Sequence, residues 1–323
     1  MPTDSDTKAR ITPRRILLAA PRGYCAGVDR AVQTVERALD AHGAPVYVRK
    51  EIVHNKHVVE QLTERGAVFV EEETEVPEGE LVVFSAHGVS PKVHANAAER
   101  GLRTIDATCP LVTKVHVEAR KFAEEGYTIV LIGHEGHEEV EGTTGEAPES
   151  IVLVQTVEDA EALEVPDPTR IAYITQTTLS VDETASIIAK LKERFPEIVG
   201  PKTDDICYAT TNRQLAVRKL AGHCELVLVI GSTNSSNSNR LVEVARESGA
   251  DSYLIDNYTQ VDERWLDGVE TLGITSGASA PEELVEGLVE MFRQRGTEEV
   301  SELEVTEEDV RFMLPRQVRA AAD

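Results

Sequence analysis

Three cysteines each stand where an apolar run gives way to a helical stretch: Cys25 in APRGYCAGVDRAV, Cys109 in IDATCPLVTKV and Cys207 in DDICYATTNRQ. A thiol at a helix N-terminus has its thiolate favoured by the helix dipole, and soft thiolates suit iron–sulfur clusters. The intervals of 84 and 98 residues are close to the length of one small α/β unit. One thiol from each of three such units would converge on a pseudo-threefold axis, leaving one iron of a [4Fe–4S] cluster without a cysteine. The plain alternative stands beside this reading: no CxxC pair occurs, and an isolated cysteine is ordinarily a small hydrophobe. Cys224, on the lead-in to ELVLVIG, keeps that plain role.

The histidines add phosphate and proton chemistry. His54 lies in EIVHNKHVV, His87 in FSAHGVSP, and His134 and His137 in IGHEGHEEVEG. Imidazole hydrogen-bonds phosphate oxygens and carries protons near neutral pH. HEGHEE does not fit the HExxH zinc pattern, because its two histidines are three apart with Gly136 between them; loop histidines satisfied by backbone are the plain alternative. Among Glu138, Glu139 and Glu141, Glu139 is the best acid candidate, two residues after His137, since a desolvated carboxyl keeps its proton at neutral pH. GSTNSSNSNRL (231–241) follows an apolar run and opens a helix. Its hydroxyls, amides and free N–H groups make either an anion site suited to phosphate or a Ser/Asn-rich turn with one cap. It lacks the lysine of GxxxxGK[ST], and PRGYCAGVDRA has the wrong glycine spacing for GxGxxG, so neither a P-loop nor a bound nicotinamide is supported.

Strands that alternate with helices must position these groups. RRILLAA, ELVVFSAHG, YTIVLIG, RIAYITQTT, ELVLVIG and TLGITSGAS each precede a turn and a helical stretch, which implies parallel sheets with ligands beyond the carboxyl ends of the strands. Ser180 with Glu183 and Ser279 with Glu282 fit capping boxes, so Ser279 alone reads as a helix cap. EEETEVPEGE (71–80), six Glu in ten residues, reads as a solvated loop, and MPTDSDTKARITPRR as a short disordered arm.

Composition narrows the function classes. The 323 residues carry 33 Lys+Arg against 57 Asp+Glu, a net charge of −24, with 41 % hydrophobic, 28 % charged and 4 % aromatic residues. This describes a folded chain of two or three domains with aliphatic cores. The acidic balance disfavours nucleic acid and anionic membrane surfaces as partners. No apolar run approaches the roughly 20 residues that span a bilayer, and no signal-peptide core follows the N-terminus. Four cysteines are too few for a disulfide scaffold. A cytoplasmic protein is expected.

Taken together, PRGYCAGVDRAV, VHNKHVV, FSAHGVSP, DATCPLVTKVH, GHEGHEEVEGT, TQTTLSVDET, DDICYATTNRQ, GSTNSSNSNRL and GASAPEEL resemble the 4-hydroxy-3-methylbut-2-enyl diphosphate reductase family, also called LytB, in order from Pro21 to about Leu284. The resemblance implies three α/β domains around one central [4Fe–4S] cluster per chain. Their expected bounds are 27–109, 110–206 and 1–26 with 207–295, followed by an extension over 296–323. It implies Cys25, Cys109 and Cys207 as cluster ligands. His54, His87, Ser235, Ser236, Asn237 and Ser279 match groups that hold the substrate diphosphate. His137 and Glu139 match a proton-relay pair, and Thr177 a hydroxyl that orients the substrate alcohol. The activity implied is a two-electron reductive dehydroxylation giving isopentenyl and dimethylallyl diphosphates, the last step of the non-mevalonate isoprenoid pathway. An external donor such as a ferredoxin or flavodoxin is implied with it. Glu138 departs from the family's GHPEVEG string. Two rival classes are a redox-silent lyase using the cluster only as a Lewis acid, and a zinc-structured binding protein without turnover.

Overall fold

The computed structural model describes residues 12–319, so most of the expected N-terminal arm lies outside the described residues. In chain order the elements begin β1 (Arg15–Ala20), α1 (Ala26–His42), β2 (Val46–Arg49), α2 (Lys56–Glu64), β3 (Ala67–Val70), β4 (Leu81–Phe84), α3 (Pro91–Glu99) and β5 (Arg103–Asp106). Next come α4 (Pro110–Glu124), β6 (Thr128–Ile132), α5 (Glu138–Thr144), β7 (Ile151–Val154), α6 (Val157–Ala162), β8 (Ile171–Thr175) and α7 (Val181–Arg194). The last are α8 (Tyr208–Ala221), β9 (Leu226–Ile230), α9 (Ser236–Glu247), β10 (Asp251–Ile255), β11 (Thr271–Ser276), α10 (Glu282–Arg295), β12 (Glu299–Glu304) and α11 (Arg316–Arg319).

The chain divides into two compact units, Met1–Gly23 with Asn212–Glu308, and Tyr24–Thr211 with Asp309–Asp323. In the first, five strands form one sheet in the order β10-β9-β11-β1-β12, each paired parallel to its neighbour. Alternation along the central strands feeds two cores. Leu226, Leu228 and Ile230 join Ile16, Ile274 and Phe292, whereas Val227 and Val229 join Leu17, Ala216 and Leu241. A strand buried on both faces reads as a continuous apolar run, which is why these strands were legible. In the same unit the fully buried Arg213 donates from Nε (3.1 Å) and Nη2 (2.8 Å) to the Gly23 carbonyl and pairs with Glu308. β12 lies in the stretch expected as an extension and pairs with β1 from Arg15↔Glu299 to Ala20↔Glu304.

The second unit holds two parallel sheets, β3-β2-β4-β5 and β7-β6-β8. Val28, Val35 and Leu39 on α1 pack with Val46, Val48 and Val83, and Val318 on α11 completes that core. The acidic stretch 71–80 is not wholly a solvated loop. Glu73 is buried in a single 3-10 turn, where Arg49 Nε (2.9 Å) and Asn96 Nδ2 (2.7 Å) donate to its carboxylate and offset the cost of burying it. In both units the chemistry-bearing residues follow the carboxyl ends of strands: His54 after β2, His87 after β4, Cys109 after β5, His137 after β6, Thr177 after β8, Ser235 after β9 and Ser279 after β11.

Candidate active site

The three thiols of the second unit are presented by helix starts. Cys25 is the N-cap of α1, Cys109 the N-cap of α4, and Cys207 directly precedes α8. Each turn is tied down by backbone. Cys109 N–H donates to the Ala86 carbonyl (2.9 Å) and Cys207 N–H to the Thr177 carbonyl (3.0 Å), while Ala26 N–H donates to Tyr208 Oη (3.1 Å). Gly27 leaves the thiols their room, since a Cβ there would stand 2.7 Å from Cys109 Sγ and 3.8 Å from Cys25 Sγ. Burial, the neighbouring Cys25 and, more weakly, Cys207 push the Cys109 thiol up to about 12; burial and Cys25 push Cys207 up to about 11. Burial therefore outweighs the helix N-termini, whose N–H groups at Leu111, Val112 and Thr210 pull the other way. Such thiols keep their protons until a metal displaces them. Three thiols close enough to act on one another, with room left by the missing Cβ of Gly27, fit an iron–sulfur cluster by donor chemistry. Cys224 belongs to the other unit, where its Sγ donates to the Leu220 carbonyl (3.2 Å) and packs against Gly273, as its plain reading had it.

Lys114, one turn beyond Cys109, is a residue the motifs did not single out. Its ammonium donates to the Thr203 (2.6 Å) and Asp204 (3.2 Å) carbonyls and to Asp205 Oδ1 (2.9 Å), while Asp205 Oδ2 accepts from Thr175 N–H (2.9 Å). The loop leading to Cys207 is thus clipped to the helix that Cys109 begins. A lysine inside a cysteine motif gives no sign of partners about 90 residues on, so only the fold exposes this role.

Glu139 is wholly enclosed in the first turn of α5. Thr177 donates to it twice, from its N–H to Oε1 (2.6 Å) and from its hydroxyl to Oε2 (3.0 Å). Burial, with a contribution from the Asp205 charge, still lifts its pKa to about 7 against those two bonds. Glu139 and Cys207 are close enough to act on each other electrostatically. His137, the N-cap of α5, accepts Glu139 N–H at Nδ1 (3.1 Å), which assigns its ring proton to Nε2. Burial, His87 and His54 lower it to about 3, so it is a neutral donor.

His54 and His87 stack with ring centroids 4.0 Å apart and 20° between planes, and His137 meets both edge-on at 5.5 and 5.8 Å. Carboxylates back both: Glu51 Oε2 lies 3.1 Å from His54 Nδ1, and Glu138 Oε2 lies 3.0 Å from His87 Nδ1. Burial would raise Glu138, but its bond and charge contact with His87, helped by His54 and Lys50, hold it below the usual carboxylate range. Burial and the adjacent His87 lower His54. One ligand atom each from His54, His87 and Glu138 lie within 4.8 Å of one another, a spacing that fits a single cation among the described residues. His134 takes no part in that group; its N–H donates to Gln176 Oε1 (3.1 Å).

The first unit gathers the hydroxyl and amide set by itself. Ser235 caps α9, its Oγ accepting from Ser238 N–H (3.3 Å), and Ser236 opens the helix. Asn237 Oδ1 accepts Ala278 N–H (2.9 Å), which joins the start of α9 to the loop bearing Ser279. The close approach requires Gly277, where a Cβ would lie 2.0 Å from Ser238 Oγ. Asn237 Nδ2 is buried without a partner among the described residues, a donor left for an anion at a helix N-terminus. Ser279 is not the cap of the following helix, which starts at Glu282 with Pro281 as N-cap; Ser180 does cap α7. The Ser-x-x-Glu template fits both sites, but at 279 the proline takes the cap position.

A family model described as LytB protein matches residues 16–293. The chain is 60 % identical over 319 residues to the 4-hydroxy-3-methylbut-2-enyl diphosphate reductase of Rhodococcus jostii (strain RHA1), a match covering 98 % of this chain and 95 % of that one. Among solved structures it resembles the E-1-hydroxy-2-methyl-but-2-enyl-4-diphosphate reductase from Plasmodium falciparum, with a TM-score of 0.92 and 38 % identity over 95 % of this chain and 98 % of that one. It also resembles an (E)-4-hydroxy-3-methyl-but-2-enyl diphosphate reductase described as the terminal enzyme of the non-mevalonate pathway, with a TM-score of 0.63 and 32 % identity over 87 % and 99 %. No helix among the described residues is long and apolar enough to cross a membrane.

Proposed function

The chain belongs to the LytB protein family, and from that membership we propose that it reduces (E)-4-hydroxy-3-methylbut-2-enyl diphosphate to isopentenyl and dimethylallyl diphosphates, the last step of the non-mevalonate pathway. The observation that carries this reading is the single unit that holds Cys25, Cys109 and Cys207 together with the enclosed Glu139–Thr177 pair. We assign one [4Fe–4S] cluster per chain to the three thiols. When bound, the cluster supplies electrons one at a time and a Lewis-acidic iron free of cysteine.

The residues of the chain supply the rest. Replacing a hydroxyl by hydrogen consumes two electrons and two protons and releases water, so a proton donor must be held beside the reacting oxygen. Glu139 keeps a proton to about pH 7 because it is enclosed. Its bond to the Thr177 hydroxyl is reversible in direction: the protonated carboxyl donates to Thr177 Oγ1, which passes its own hydrogen to the substrate alcohol. His137, with its proton on Nε2, adds a neutral donor. His54 and His87 are assigned to diphosphate oxygens, as are Ser235, Ser236, Asn237 and Ser279; binding energy from this non-reacting group holds the alcohol in place. The electrons come from an external carrier of the ferredoxin or flavodoxin type. We assign the chain to a reducing cytoplasm, where thiols are kept available for iron.

Mössbauer spectra of iron-57-labelled protein, prepared without oxygen, test the assignment. The expected spectrum has four irons, one of them distinct and moved by the allylic hydroxy diphosphate. An iron-free protein, or four irons indifferent to that compound, discards it, and product formation without reductant favours a lyase.

A further inference from the structure

The carboxylate behind His54 comes from Glu51, three residues earlier, whereas the one behind His87 comes from Glu138, at the start of α5 and beside the acid Glu139. We propose that Glu138 is a positioning residue for diphosphate recognition, holding His87 by Nδ1 so that Nε2 faces the anion as a charge-assisted donor. The proposal rests on the assignment of His87 to the diphosphate and deepens it.

Three observations carry it. Glu138 Oε2 stands 3.0 Å from His87 Nδ1, and Ser85 Oγ lies 3.4 Å from the same nitrogen and 3.5 Å from the same carboxylate oxygen. One edge of the ring is therefore engaged, and Nε2 on the opposite edge is the polar atom left to meet a ligand. The ring face is fixed as well, by the stack on His54 at 4.0 Å. Both partners are mostly buried, with side-chain exposures of 15 % and 16 %, so their attraction is little screened by water.

The chemistry sets the direction of the effect. An imidazole that gives its only proton to a carboxylate through Nδ1 presents a lone pair at Nε2, which repels phosphate oxygen. The imidazolium donates from both nitrogens, so a ring held at Nδ1 by Glu138 still offers Nε2 to the anion. Glu138 is itself an anion, but phosphate on the Nε2 side lies nearer to the imidazolium than to the carboxylate behind it. Coulomb energy falls with distance, so attraction wins.

Steady-state kinetics of the anaerobic, cluster-loaded enzyme test this, with inorganic pyrophosphate as competing probe. In E138A the inhibition constant of pyrophosphate and the KM of the substrate are expected to rise together about tenfold, the loss of one charge-assisted hydrogen bond. The value of kcat is expected to fall by less. E138Q, which keeps shape without charge, should lie between, and E138D should recover part of the loss. Should E138A not fold, E138Q carries the comparison. An unchanged inhibition constant in E138Q overturns the proposal, and a lowered one overturns it in favour of a carboxylate that competes with the ligand. H87A separates the underlying reading: pyrophosphate inhibition as strong there as in the unaltered enzyme removes His87 from diphosphate binding altogether.

Discussion

At the scale of single residues, Glu139 joins the chemistry to a measurable titration. Glu139→Gln removes the proton but keeps the shape, so turnover should drop by roughly 10²–10⁴ while the iron-57 spectrum stays as it was. With the acid ionising at about 7, the rate of the unaltered enzyme should decline as pH rises past that value. Stability follows the same group. Its folded-state pKa of about 7 lies above the ordinary 4.5, so between those values the unfolded chain ionises while the folded one does not. Native stability thus falls as pH rises through that window, by about 3 kcal/mol in all. Urea unfolding should show the Gln variant gaining on the parent between pH 4.5 and 7, because the amide has nothing to ionise. Much of this site was legible. Cys25, Cys109, Cys207 and Glu139 sit in short strings whose residue types announce their chemistry. The tautomer of His137 was not, since it depends on a backbone N–H aimed at Nδ1, and Lys114 was not, since its acceptors come from a distant loop.

At the scale of elements, the first turn of α1 offers a discriminating substitution. Gly27→Ala should favour the helix by up to about 1 kcal/mol, yet its Cβ would stand 2.7 Å from Cys109 Sγ. Circular dichroism is expected to show unchanged helix, while iron bound per chain falls well below that of the parent. Equal iron content would mean that the thiols move aside freely. The strands and their parallel pairing could be read from runs such as LVLVI and LVVF, because burial on both faces leaves no polar interruption. Short-range templates served less well. The capping reading of Ser279 failed where Pro281 intervened, and the charge of 71–80 hid the one glutamate that folds inward.

At the scale of the whole molecule, the C-terminal stretch contributes to each of the two units in a way its composition concealed. β12 covers the β1 edge of one unit, and Val318 is fully buried in a core of the other. A chain ending at Gly296 should lose at least about 3 kcal/mol in urea unfolding, with activity lost alongside; unaltered stability would reduce the tail to a passenger. Acidic, mixed-charge sequence gave no hint of this, because β12 alternates exposed glutamates with half-buried Val300, Ser301 and Leu303 rather than forming an apolar run. The burial of the thiols has a different bearing on the life of the protein. Reaction with peroxide, alkylating agents or a disulfide needs thiolate, and thiols that hold their protons to about 12 and 11 offer almost none at neutral pH. A chain waiting for iron is therefore expected to react slowly at Cys109 and Cys207 with iodoacetamide at neutral pH, and labelling as fast as that of a small free thiol would contradict it.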